Sequence, residues 1–240
     1  MRRVAMFGMK PRCTGSELTA LVRRMSEAVG AVGIDHNDAT LIRRVFLEVF
    51  EQMESDERSD GACHLLASMG HILLREVGVD SRLCLGEVLK CEEEAVGTFS
   101  HSWNEAAGVM FDVAIARPLE PMPILGQLHP TLAGVELPSG KKTKVVYGVP
   151  LPLDEKATSV LSGTLADFVE RGREVSGLDF WWWYERSCRR LGIKAHAQKL
   201  AKKYRDDRWT HVVTAEGRRE VERLSVEQVV DYSSVPSGWE

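Results

Sequence analysis

Several features are missing from this 240-residue chain, and each absence narrows what it can be. No uncharged apolar run approaches the roughly 18 residues that a membrane-spanning helix needs. The basic N-terminal stretch is broken by Gly8, Lys10 and Pro11 before it reaches signal-peptide length. No CxxC pair occurs among the five cysteines, at 13, 63, 84, 91 and 188. An odd, scattered set argues against a disulfide framework or a paired-cysteine zinc site, so a reducing, cytoplasmic setting is expected. No charge of one sign dominates. The formal net charge of −4 gives no global attraction to nucleic acid or membrane. There is neither an internal repeat nor a low-complexity tail.

What is present is an ordinary globular composition, long enough to bury a sizeable core without metal or disulfide. Helical spacing of apolar residues runs from Ser16 to Val29, and again through Leu41, Ile42, Val45, Phe46, Val49 and Met53, where Asn37 or Asp38 is the expected cap. A third helix is expected from near Gly61 to Val77, capped by Ser59 or Asp60 and stopped by Gly78. Strand patterns follow at Arg82–Leu89, Ser100–Ala107 and Met110–Ala116, with Ala107-Gly108 as a hairpin turn, and at Lys144–Val149 beyond a Pro- and Gly-rich segment. From Thr158 onward the pattern is helical. The division expected is residues 1–154 as a core and residues 155–240 as a helical extension packed on it, within an α+β fold.

The chemistry-bearing pattern begins with Cys63. In the first turn of a helix, unpaired backbone N–H groups and the positive end of the dipole favour thiolate over thiol, and the same N–H groups can receive an oxyanion. A thiolate also needs a base and a group that orients the base. His101 lies at the expected start of one strand, and Asp112, eleven positions on, lies on its hairpin partner within the apolar FDVAI. An unpaired carboxylate there would be costly, which points to a partner. Trp103 is read as a wall of the site or as core, Glu105 as strand surface or substrate rim, and His64 as a neighbour of the nucleophile. His64 and His71 share a helix face, but with Cys84 and Cys91 they match no zinc spacing, so neither a metal nor a cofactor is expected.

The segments Gly61-Ala62-Cys63, Leu73-Leu74-Arg75 with Gly78, LCLGEV, His101-x-Trp103-x-Glu105 and Asp112 resemble the core pattern of transglutaminase-like thiol enzymes, over residues 60–116. Within that group the chain is most similar to the bacterial set containing the lasso-peptide leader peptidases. Arylamine acetyltransferases share the same Cys–His–Asp core. The resemblance implies a papain-like scaffold with Cys63 as nucleophile, His101 as general acid/base, Asp112 as orienter, and Trp103, Glu105 and His64 beside the substrate. It departs from the transglutaminase pattern at His64, where Trp is frequent, and at Val113, where Pro is frequent.

The implied activity is cysteine-dependent acyl chemistry on an amide, with peptide hydrolysis first and acyl transfer to an amine second. A catalytically inactive binding module is the reading from another class. It would use the aromatic block Phe180–Tyr184 and the basic residues from Arg186 to Arg208 to hold a protein partner or a second copy of the chain. Binding of nucleic acid is not expected.

Overall fold

The computed structural model describes residues 15–55, 62–91, 96–117, 128–137, 139–224 and 229–231. Three helices come first: α1 (Gly15–Gly30), α2 (His36–Ser55) and α3 (Cys63–Glu76). Helix α2 starts two or three residues earlier than the sequence suggests, because Asp35 is its cap: Oδ1 of Asp35 accepts the N–H of Asn37 at 2.8 Å. The residues expected to cap α3, Ser59 and Asp60, lie outside the described residues. The residue before α3 is Ala62, which offers no capping side chain. At the other end, Gly78 takes a φ of 88°, and Val79 N–H returns to the Leu74 carbonyl at 2.9 Å, a left-handed stop that favours glycine.

The strands are β1 (Ser81–Cys91), β2 (Val96–Ala106), β3 (Val109–Asp112), β4 (Thr131–Leu132), β5 (Val135–Glu136) and β6 (Val145–Val149). They form an antiparallel path in the order β5-β4-β3-β2-β1-β6. Two short segments add in parallel: β7 (Thr210–His211) on β1 and β8 (Val229–Asp231) on β2. The β2–β3 hairpin turns at Ala107 and Gly108, both with positive φ, as expected of a two-residue turn.

Two of the strand boundaries that differ from the sequence reading matter for the site. Strand β2 begins at Val96, so His101 sits in its middle, opposite Gly86 of β1, rather than at a strand start. Strand β3 ends at Asp112 and gives way to a 3-10 turn over Ala114–Ala116. The cause is Asp112 itself, whose Oδ1 accepts the N–H of Ile115 at 3.1 Å; this local bond competes with continuing the ladder.

The remaining helices are α4 (Glu155–Ser162), α5 (Leu165–Ser176), α6 (Phe180–Arg190), α7 (Ala197–Tyr204) and α8 (Ala215–Arg223). Asp154 caps α4, and a Thr164–Asp167 capping box opens α5. The protein is thus mixed α and β, with the antiparallel sheet as a half-barrel against the helices. One hydrophobic cluster takes in Phe46, Leu73, Leu85 and Phe111 together with Val160, Phe180, Tyr184 and Leu200, so it runs across residue 154. Helices α3 and α6 are further joined by a buried 2.6 Å hydrogen bond between Ser68 Oγ and the Tyr184 hydroxyl. Gly70 sets the approach of α3 to the sheet, since a Cβ there would stand 2.6 Å from Oδ1 of Asn104. Among the described residues no helix is long and apolar enough to cross a membrane.

Candidate active site at the start of helix α3

Alternation along β2 divides its side chains between two faces. Ser102 and Asn104 meet α3, through His64 and Gly70 respectively. His101 and Trp103 turn the other way, toward Tyr147 of β6. On that face Nε2–H of His101 donates to Oδ2 of Asp112 at 2.8 Å, and the Tyr147 hydroxyl donates to the same oxygen at 2.7 Å. With the Ile115 N–H on Oδ1, the carboxylate receives three donors while only 1% exposed. Its burial inside an apolar hairpin is therefore compensated at every contact. Burial pushes the Tyr147 phenol well above its ordinary range, and the adjacent Asp112 charge adds to the rise, so this hydroxyl stays a donor.

Cys63 is the first helical residue of α3 and is half-buried. Burial works to raise its thiol; the charge of His64 and hydrogen bonding from His101 and His64 outweigh it and hold the group well below its ordinary range. The opposite shift falls on His101. Burial works to lower its imidazole, but the Asp112 charge and hydrogen bond, with the Cys63 thiolate, push it up to about 10. Because Nε2 is committed to Asp112, Nδ1 is the nitrogen left to face the thiol. The thiol, the imidazole and the buried carboxylate thus come in sequence, Cys63 to His101 to Asp112. No family model matches the chain, and no curated protein and no solved structure matches it.

The other residues singled out in the sequence go to different places. His64 stays at the site: Nδ1 meets Ser102 Oγ at 2.6 Å, and its ring lies edge-on to Phe168 and Trp209. Trp103 is only 2% exposed and packs on Tyr147 with ring centroids 5.1 Å apart, so it supports the site from within the core and cannot touch a substrate. The reason is register. Trp103 faces Cys84 and the sheet's own interior, where Gly86 leaves room for the indole. Glu105 lies opposite Arg82 near the hairpin end of β2 and is ion-paired with it, four residues along the strand from His101. His71 is held by Ser81 Oγ at 3.2 Å and Asp207 at 2.9 Å. Cys84 and Cys188 are buried thiols pushed up to about 12, first by desolvation.

The aromatic block on α6 is shared out as a helix requires. Phe180 and Tyr184 enter the core, Trp181 and Trp183 pack on its margin, and Trp182 is 53% exposed with the Arg186 guanidinium 5.9 Å from its ring centroid. Some of the basic residues beyond it are paired with acids: Arg189 with Glu185, Arg190 with Glu48 and Glu51, Lys203 with Glu76 and Arg205 with Asp206.

One feature beside the site has no counterpart in the sequence reading. A groove of about 630 Å³ opens between the first turn of α3 and helices α4, α5 and α6. Ala62, His64 and Leu65 bound it at the Cys63 end, and Val160, Phe168, Leu178, Phe180 and Trp183 furnish most of its apolar wall. Ser100 links this helical wall to the sheet, since its hydroxyl bonds Glu87 and accepts the N–H of Asp154 at 2.9 Å. No periodic signal could have revealed the groove, because its walls come from segments about a hundred positions apart.

Proposed function

We propose that this protein is a cysteine-dependent amide hydrolase acting on peptide bonds, with Cys63 as nucleophile, His101 as general acid/base and Asp112 as the group that orients His101. The observation that carries the proposal is the pairing of a helix-N-terminal thiol with an imidazole whose far nitrogen is fixed by a buried carboxylate at 2.8 Å. A thiol kept only for packing has no need of that second and third group. The order of parts, a Cys-bearing helix followed by a His strand and an Asp strand, is the arrangement that the transglutaminase-like resemblance implies, and it supports a papain-like description of the scaffold.

The Cys63 thiolate attacks the carbonyl carbon, forming the S–C bond while the C=O electron pair moves onto oxygen. The N–H groups at the start of α3, which Ala62 leaves without a side-chain cap, are positioned to receive that oxyanion. His101 delivers its Nδ1 proton to the departing amine as the C–N bond breaks, leaving a thioester and a neutral imidazole. Water then gives its proton to His101 and its hydroxide to the acyl carbon. Collapse expels the thiolate and restores the ion pair. Asp112 keeps one tautomer throughout, and Tyr147 keeps Asp112 in place.

The test is incubation of the native protein and of Cys63→Ala with a mixed peptide library, read by mass spectrometry. New fragments formed only by the native protein support the proposal. Identical peptide profiles from both proteins would remove it.

A further inference from the structure

The groove beside Cys63 has a definite relation to the chemistry, and this inference rests on the thiol-hydrolase reading above. His101 must stand next to the departing amine, because it supplies that amine's proton. His64 lies on the groove side of the thiol, and the groove is bounded by His64, Ala62 and Leu65 rather than by His101. The part of the substrate that remains on sulfur after the amine leaves is therefore the part that faces the groove.

The chemistry of the walls says what that part is. Phe168, Leu178 and Trp183 present apolar surface, and Val175, on the same wall, is 90% exposed. Exposed apolar surface continuous with a reactive centre is characteristic of a ligand site rather than of solvated helix faces. The charges at the rim, Glu155, Lys156 and Arg171, are of mixed sign, and Arg171 is held by Ser159, so the apolar wall dominates the lining. The volume of about 630 Å³ is of the size that holds a small ligand, and exceeds what one side chain fills. We propose that the groove is the acyl-side specificity site, and that it selects peptides carrying bulky apolar or aromatic residues immediately N-terminal to the bond that is cut.

The experiment uses two chloromethyl ketones, acetyl-Leu-Phe and acetyl-Gly-Gly, with iodoacetamide as a reagent that reports the thiolate alone. Each forms an S–C bond to Cys63 and releases halide, and labelling is followed by mass spectrometry on the full chain. The Leu-Phe reagent is expected to label Cys63 at least about 100-fold faster than the Gly-Gly reagent, the discrimination that an apolar pocket gives for large against absent side chains. In Val175→Glu/Leu178→Glu, checked for folding by circular dichroism, that ratio is expected to fall at least about tenfold. Fast iodoacetamide labelling with a ratio near one would overturn the inference and leave the thiolate reading standing. A high ratio unchanged in the variant would overturn it by placing selection elsewhere. Iodoacetamide labelling of Cys63 no faster than that of Cys84 and Cys188 would remove both readings together.

Discussion

Nε2–H of His101 and Oδ2 of Asp112 meet at 2.8 Å, with the two side chains 3% and 1% exposed. Water therefore competes weakly for this bond, and the imidazole is fixed in both ring orientation and tautomer. Asp112→Asn keeps the shape but removes the charge and can reverse the tautomer. We expect kcat/KM on a cleaved peptide to fall about 10³- to 10⁴-fold, the scale seen when an orienting carboxylate of a triad is neutralised. Steady-state kinetics on the variant check this, and a loss below tenfold would show that Asp112 does not orient the base.

Tyr147 gives Oδ2 of Asp112 a second donor at 2.7 Å from β6, 35 residues along the chain. Tyr147→Phe leaves one carboxylate lone pair without its partner in a buried place. A hydrogen bond to a charged group is worth about 1.5–3 kcal/mol, so a loss of stability of about that size is expected in urea unfolding. The effect on kcat is expected to be much smaller than that of Asp112→Asn, because His101 keeps its own bond.

Ser68 and Tyr184 tie α3 to α6 across the core. Ser68→Ala strands the Tyr184 hydroxyl and should cost about 1–3 kcal/mol, whereas Ser68→Ala/Tyr184→Phe removes both partners and should cost little more than the single change. A double-mutant cycle by denaturant unfolding measures the difference. Strictly additive losses would mean that the bond contributes nothing.

The shifts at the catalytic pair have opposite signs, and so do their links to stability. His101 is raised from 6.5 to about 10, so its contribution is fully present below pH 6.5 and is lost as pH rises through about 10. Cys63 is lowered from 9.0, so its contribution is fully present above pH 9 and is lost as pH falls through its folded value. In Cys63→Ala only the histidine side remains. Without the thiolate only Asp112 holds the imidazole up, so the variant's thermal midpoint is expected to fall from pH 6.5 upward relative to that of Cys63→Ala/His101→Phe, with the fall complete below about pH 10.

Much of the hairpin that carries the site could be read from sequence because its signals are local. Ala107-Gly108 announces the turn, and the turn fixes which residues of the two strands lie near each other, bringing Asp112 toward His101. Gly78 likewise marks the end of α3. The misplaced features depend on contacts that spacing does not encode. Asp112 ends β3 by bonding Ile115, a side-chain choice made against the strand pattern around it. Trp103 is carried into the core by the register with β1. The groove exists only because α4, α5 and α6 close over the first turn of α3. Gly172 is part of that closure, since a Cβ there would collide with the Phe180 ring.

The most direct test of the central claim is the rate of iodoacetamide alkylation of Cys63, Cys84 and Cys188 against pH, in the native protein and in His101→Ala. Cys63 is expected to react much faster near pH 7, with its inflection well below pH 9, while Cys84 and Cys188 stay slow. A clear part of that excess is expected to vanish without His101 and the inflection to move up, while the His64 charge keeps the rest. A Cys63 as slow as the two buried thiols, or one whose rate is indifferent to His101, would contradict the thiolate–imidazolium account.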